Sequence, residues 1–159
     1  MMANNKQHYA YDLEYSHIMK EIKTPVSICY SRNSNKEKSI KIDALWDTGA
    51  THSILSPKIA KELVLSPVDN LYVGGINTEV SSDVVIVTIT LPNGMTLSDR
   101  RFYVCNIPGV EVIIGMDIIS MGDFAITNAR GKTMFSFVIP TLNNTISFSD
   151  MVNNKNAHE

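Results

Sequence analysis

From Thr24 to Tyr30 the apolar side chains alternate, with Val26, Ile28 and Tyr30 on one face, which predicts a strand. Ile40, Ile42, Ala44 and Trp46 share a face in the next apolar run, giving a second strand that ends at Asp47. The polar segment Ser31 to Lys38 between them reads as a hairpin loop. Ser56-Pro57 reads as a helix start, because serine can accept from the free amides and proline is tolerated at the first helical position. That helix is expected over Pro57 to Leu65, with Ile59, Leu63 and Val64 turned inward. Asp69 to Val80 contains Gly74-Gly75-Ile76-Asn77-Thr78, and both Gly and Asn accept positive φ, so a hairpin tip is expected there.

Val84 to Leu91 is β-branched almost throughout, and Thr96 to Cys105 is its partner strand. The turn between them, Pro92-Asn93-Gly94, carries an Asn-Gly pair that suits type I′ geometry. Glu111 to Ile114 is a short apolar strand leading into one or two helical turns over Gly115 to Ile119. Phe124 to Thr127 and Thr133 to Val138 flank a further hairpin at Asn128 to Gly131. Seven or eight strands and two short helices make a mainly β fold. The pattern divides the chain into an N-terminal arm of undefined structure (1–21), one domain (22–140) and an Asn-rich polar tail (141–159), expected to be mobile.

Composition narrows the function classes. At 159 residues the chain suits one domain. A net charge of −2 gives no general attraction to nucleic acid or an anionic membrane, and Arg100-Arg101 is too small a basic cluster to argue otherwise. No apolar run approaches the roughly 20 residues of a membrane span. The stretch Met1 to Tyr15 lacks the apolar core of a secretory signal, so a cytoplasmic location is expected and the sequon at Asn143-Asn144-Thr145 reads as chance. Cys29 and Cys105 stand far apart in strand-like runs and read as buried free thiols. No metal-ligand spacing and no cofactor motif is present.

The chemistry concentrates at Asp47-Thr48-Gly49-Ala50, where a strand runs straight into a carboxylate, a hydroxyl and a glycine. Amide bonds resist water at neutral pH. Two carboxyl groups about 3 Å apart cannot both ionise, so they share a proton. One then takes a proton from a water between them while the other donates to the carbonyl oxygen. The chain offers this loop once, and the chemistry needs two carboxylates, so the count predicts a homodimer. Thr48 can fix the turn, and Gly49 lets the backbone pass close to the carboxylate. Asp with Gly alone commonly makes an ordinary turn. The preceding strand and the apolar Ile54-Leu55 that follow weigh toward a site. Asp117, just before Ile118-Ile119, reads as a helix cap rather than a second acid. Asp43 reads as solvated, although it shares the Asp47 face, and His52 reads as a surface histidine. The indole N–H of Trp46 needs a partner if buried.

The run Ala44-Leu45-Trp46-Asp47-Thr48-Gly49-Ala50 resembles the active-site loop of retropepsin-like aspartic proteases, which include the retroviral proteases and their cellular and bacterial relatives. Val112-Ile113-Ile114-Gly115-Met116-Asp117-Ile118-Ile119 resembles the family's second motif, an apolar pair, Gly and an acid or amide just before a helix. The glycine hairpin at Gly74, Gly75, Ile76, Asn77 and Thr78 falls where the family has its flap. The resemblance implies a closed β-barrel of the acid-protease type with one or two short helices. It further implies a symmetric dimer with catalytic Asp47 from each subunit at the two-fold axis. Thr48, Gly49 and Ala50 would support the loop, Ile114, Gly115 and Asp117 would lie structurally near it, and the flap would close over an extended peptide. Ile54, Ile76 and Val80 are candidates for lining its pockets. The viral proteases carry acidic residues after the loop's alanine and an arginine after the downstream glycine; here Thr51, His52 and Met116 stand there, and Asn77 stands where a second flap glycine is common.

Three functions compete on these residues. The first is a homodimeric aspartic endopeptidase acting on peptide or protein, without cofactor, nucleic acid or membrane. The second is a weak or inactive peptide-binding module that keeps the fold and the aspartate. The third is a small β-barrel ligand binder in which Asp47-Thr48-Gly49 is only a turn.

Overall fold

The computed structural model describes residues 7–30, 38–75 and 78–156. Its first strand, β1 (Tyr9–Glu14), comes from the arm, and β2 (Lys23–Tyr30) and β3 (Ser39–Trp46) follow as an antiparallel pair. Then come β4 (Ile54–Leu55), α1 (Pro57–Glu62), β5 (Asp69–Gly75), β6 (Thr78–Thr90) and β7 (Thr96–Val104). The C-terminal third holds β8 (Val112–Ile114), α2 (Met116–Ile119), β9 (Asp123–Ala129), β10 (Lys132–Ile139) and α3 (Phe148–Asn156).

Hydrogen bonding runs β2-β3-β8-β4-β7-β6, and β6 returns to β2 through Val87–Thr90 against Ser27–Tyr30. Six strands therefore close a barrel, and β5 extends outward from β6. Closure removes the free edges that a small sheet would otherwise expose. The mainly β, closed-barrel expectation is borne out. Within the ring β8 lies between β3, with which it is parallel, and β4, with which it is antiparallel. Val112, Ile113 and Ile114 are buried, as a strand enclosed on both faces requires.

A second sheet, β1-β10-β9, packs against the barrel. On β10 the residues Thr133, Phe135, Phe137 and Ile139 are buried and their neighbours are not, the period of a strand with one covered face. The Phe135 and Phe137 rings lie 4.9 and 4.8 Å from that of Trp46, so the two sheets meet beside the end of β3.

Three local expectations are corrected. Helix α1 stops at Glu62, and Val64, expected inward, is 80% exposed with φ of 55°. The chain leaves the helix there through the left-handed region, which turns the side chain to solvent. The Pro92-Asn93-Gly94 turn is not type I′. Gly94 has φ of 80° while Asn93 is not in the left-handed region. The N–H of Gly94 bonds Leu91 O and that of Leu91 bonds Met95 O, which makes a three-residue loop with the glycine closing it. Pro92 imposes its own negative φ at the first turn position, where type I′ needs a positive one. Consecutive positive φ values occur instead at Arg130 and Gly131, 52° and 76°, between β9 and β10. Neither cysteine is in a disulfide, but Cys29 is half-buried and Cys105 exposed, because the strand ends at Val104 before reaching Cys105. The expected hairpin loop after Tyr30 falls largely outside the described residues. The segment expected as a mobile tail contains α3, whose first turn is capped by the Ser147 hydroxyl accepting from Asp150 N–H at 3.2 Å.

Candidate active site

Strand β3 delivers Asp47. Leu45 and Trp46 pair with Ile113 and Ile114 of β8, and the N–H of Asp47 continues the ladder to Ile114 O at 3.0 Å. Beyond it the chain turns. Ala50 N–H bonds Asp47 O at 3.2 Å, and Gly49 N–H donates to Asp47 Oδ1 at 2.8 Å. One carboxylate oxygen is thereby held by a backbone amide of its own loop, while the residue remains half-exposed. A Cβ at Gly49 would lie 3.1 Å from that same oxygen, so glycine leaves the carboxylate its room. Thr48 is exposed beside it.

The other side of the loop is fastened to α2. Met116 N–H bonds Ala50 O at 2.8 Å, and Asp117 N–H bonds Thr51 O at 3.2 Å. Gly115 makes that approach possible, since a Cβ there would sit 2.6 Å from the backbone carbon of His52 and 2.9 Å from Ala50 O. Main-chain bonds therefore hold the segment after Gly49 to the start of α2. Buried Ser53 completes the junction. Its hydroxyl donates to Asp117 Oδ1 at 2.7 Å and accepts from Gly115 N–H at 3.1 Å.

Asp117 is not the helix cap expected of it. Gly115 occupies the cap position without a side-chain bond, and Asp117 sits inside the first turn with its carboxylate on Ser53. A negative charge there still suits the helix dipole. Sequence reasoning overlooked Ser53. Its only signal was a hydroxyl directly before the apolar pair Ile54-Leu55, where a buried polar group must find partners.

Trp46 is 9% exposed, and its Nε1–H donates to Thr24 Oγ1 at 2.8 Å, which meets the need read from the sequence. Its ring forms part of a cleft of about 330 Å³ that opens at Asp47 and Thr48 and is bounded by Leu45, Ile119, Phe124 and Ile126. His52 does not line this cleft. It stacks on Tyr103, with ring centroids 4.7 Å apart, over a separate hollow shared with Arg100 and Asp117. Asp43 is exposed. Ile54 lies half-buried in β4, paired on both sides. The glycine hairpin forms, with Gly74 opposite Glu79 and Gly75 opposite Thr78. Its tip residues Ile76 and Asn77 lie outside the described residues.

Three titrating groups mark how the surroundings are pinned. Burial pushes the Tyr11 hydroxyl up to about 12, in the sheet that covers Trp46. The Ser56 hydroxyl and the Lys58 ammonium hold the Glu111 carboxyl below its ordinary range, where Ser56 also caps α1. The Thr141 hydroxyl and the Leu142 N–H do the same for Asp123, at 2.6 and 2.7 Å. Among the described residues no group of three or more His, Cys, Asp or Glu side chains is gathered to hold a metal ion. No helix among them is long and apolar enough to cross a membrane.

Comparison with known proteins places this geometry. The family model described as "gag-polyprotein putative aspartyl protease" matches residues 36–121, which span Asp47 through α2. Among solved structures, a retropepsin-like aspartic protease from Rickettsia conorii matches at 12% identity and TM-score 0.52, over 84% of this chain and 96% of that one. That likeness shows the fold. The EIAV protease complexed with the inhibitor HBY-793 is 26% identical at TM-score 0.46, over 67% of this chain and 90% of that one. The retroviral protease-like domain of Ddi1 from Leishmania major is 17% identical at TM-score 0.43, over 65% and 79%. No curated protein matches the chain. A family model spanning more than half the sequence, on a barrel of the same fold, establishes that this chain belongs to the retropepsin-like aspartyl protease family.

Proposed function

We propose that the protein is a homodimeric aspartic endopeptidase in which Asp47 of two copies forms the catalytic pair. The observation that carries this reading is the state of Asp47. It ends a rigid strand, one oxygen is oriented by Gly49 N–H, and the carboxylate stands open at a cleft. A single such group cannot both accept and donate a proton in one step, so the second must come from a second copy.

With the two carboxyls in contact, one proton is shared and the titration belongs to the pair. The ionised member removes a proton from a water held between them as that oxygen attacks the peptide carbonyl. The protonated member gives its proton to the carbonyl oxygen. The tetrahedral intermediate then collapses: the C–N bond breaks, the nitrogen leaves with a proton from the pair, and one of the two hydroxyls returns a proton to the pair as the carboxylic acid forms. Thr48, Gly49 and Ala50 hold the loop in this account, with Ile114, Gly115 and Asp117 as its support. The β5–β6 hairpin, Gly74, Gly75, Ile76, Asn77 and Thr78, closes over an extended peptide and adds backbone hydrogen bonds to it in the manner of an extra strand. Closure also excludes bulk water and strengthens the local electrostatics.

The test is a peptide-library digest across pH with wild type beside Asp47→Asn, accompanied by sedimentation. Wild type cleaves at mildly acidic pH and the variant does not, with its fold retained. Equal peptide binding by both proteins with cleavage by neither would make the chain a binding module instead.

A further inference from the structure

The covered face of β2 begins with a polar side chain. Thr24, Val26 and Ile28 are buried in alternation, and Thr24 is the one that carries a hydroxyl. A hydroxyl in such a row costs free energy unless it is bonded. Its partner comes from β3. Thr24 stands opposite Ala44 in the register, and Trp46 lies two residues further along the same buried face. A long side chain reaches a diagonal neighbour of that kind. Trp46 Nε1–H donates to Thr24 Oγ1 at 2.8 Å.

The bond matters because of where Trp46 sits. It is the last residue of β3, and Asp47 follows it across one peptide. The main chain there is tied on both sides, by Trp46 N–H to Ile22 O at 2.9 Å and by Asp47 N–H to Ile114 O at 3.0 Å. The Phe135 and Phe137 rings meet the indole at tilts of 53° and 56°. Apolar burial is non-directional, so these rings fill space around the indole. The hydrogen bond supplies the direction. Among the described residues the Asp47 carboxylate has one hydrogen bond, from Gly49 N–H in its own loop. The carboxylate therefore takes its bearing from the loop, and the loop takes its own from the end of β3. Tyr11 gives a contrast in the same place. It packs edge-on to Phe135, and its buried hydroxyl closes no hydrogen bond of normal geometry. Thr24 lies close enough only to offset part of the upward push of burial on that hydroxyl.

We propose that Thr24 is a positioning residue for Asp47: its hydroxyl fixes the Trp46 indole, and the fixed indole sets the direction in which β3 hands the aspartate to its loop. This inference rests on the peptidase reading above for its consequence in catalysis. Two carboxyls share a proton only while they stay in contact, so turning either one away weakens the pair. A displacement of about 1 Å is enough to cost about a hundredfold in rate.

The experiment compares Thr24→Val, Thr24→Ser, Tyr11→Phe, Trp46→Phe and the Thr24→Val/Trp46→Phe double variant in the full chain. The first readout is the Gly49 amide in a 1H–15N spectrum, which reports its bond to Asp47. It moves in Thr24→Val, returns toward wild type in Thr24→Ser and stays in place in Tyr11→Phe. Trp46→Phe removes the same bond from the other side and moves it too, which keeps the test open if Thr24→Val fails to fold. The second readout is cleavage of a peptide from the library digest. In Thr24→Val, kcat falls by about tenfold to a hundredfold with KM unchanged. The two midpoints of its pH–rate profile draw together as the carboxyls lose contact. In the Trp46→Phe background there is no indole N–H to hold, so adding Thr24→Val changes neither readout further. An unmoved Gly49 amide, an unchanged kcat, equal effects in Tyr11→Phe, or a Thr24→Val effect that persists in the Trp46→Phe background would overturn the role of Thr24. A wild type that cleaves nothing removes the peptidase reading, and the Gly49 amide still decides whether Thr24 positions Asp47.

Discussion

Asp47 stands between two regions that are finished to different degrees. On its inner side, the loop, β8 and α2 form a junction in which buried groups are answered. Asp47 N–H meets Ile114 O, Gly115 N–H meets Ser53 Oγ, and that hydroxyl meets Asp117. On its outer side, Phe124 and Ile126 of β9 stand open beside the same cleft. The inner region fixes where the carboxylate points. The outer region leaves part of its apolar face uncovered.

Breaking the inner side should cost the most. Gly115→Ala drives a methyl group into the His52 and Ala50 backbones, which cannot yield as a flexible side chain would. A loss of about 3 kcal/mol is expected, read as a lower denaturant midpoint with unchanged slope. Ser53→Ala comes next. It leaves the buried Gly115 N–H without its acceptor and the Asp117 carboxylate without its donor, for about 2 kcal/mol.

The outer side should respond more weakly and only to conditions that touch its anchor. The Asp123 carboxyl is lowered by its bonds to Thr141 and Leu142, so the folded state holds its proton less tightly than the unfolded chain does. The anchor therefore contributes fully above the ordinary aspartate range and is lost as pH falls through the lowered folded value. A carboxyl-carbon NMR titration should show a midpoint below that of ordinary aspartate, and Thr141→Val should move it back upward. The body of the barrel should be little affected.

The strand pattern was legible because one face of each strand is covered. Val26 and Ile28 on β2, and Ala44 and Trp46 on β3, alternate as their burial does. The Asp47 loop was legible because strand, acid and glycine are adjacent in sequence. Less visible was what depends on distant residues. Ser53 acquires its role from Gly115 and Asp117, more than sixty positions away. Asp117 has the chemistry of a cap, but the backbone of Gly115 takes the cap position first. An Asn-Gly pair by itself suggests a primed turn at Asn93, but the fixed φ of Pro92 before it decides the geometry. Helix α3 was hidden by its asparagines, although Phe148, Met151 and Val152 already carried helical spacing.

The central claim is that two copies each contribute one Asp47 to a site, and mixing tests it directly. Wild type and Asp47→Asn are unfolded together at varied ratios, refolded at constant total protein, and assayed on a peptide found in the library digest. If both carboxylates are required, activity follows the square of the wild-type fraction, because mixed pairs are silent. Activity that falls in simple proportion to the wild-type fraction would mean that one Asp47 suffices, and would contradict the account.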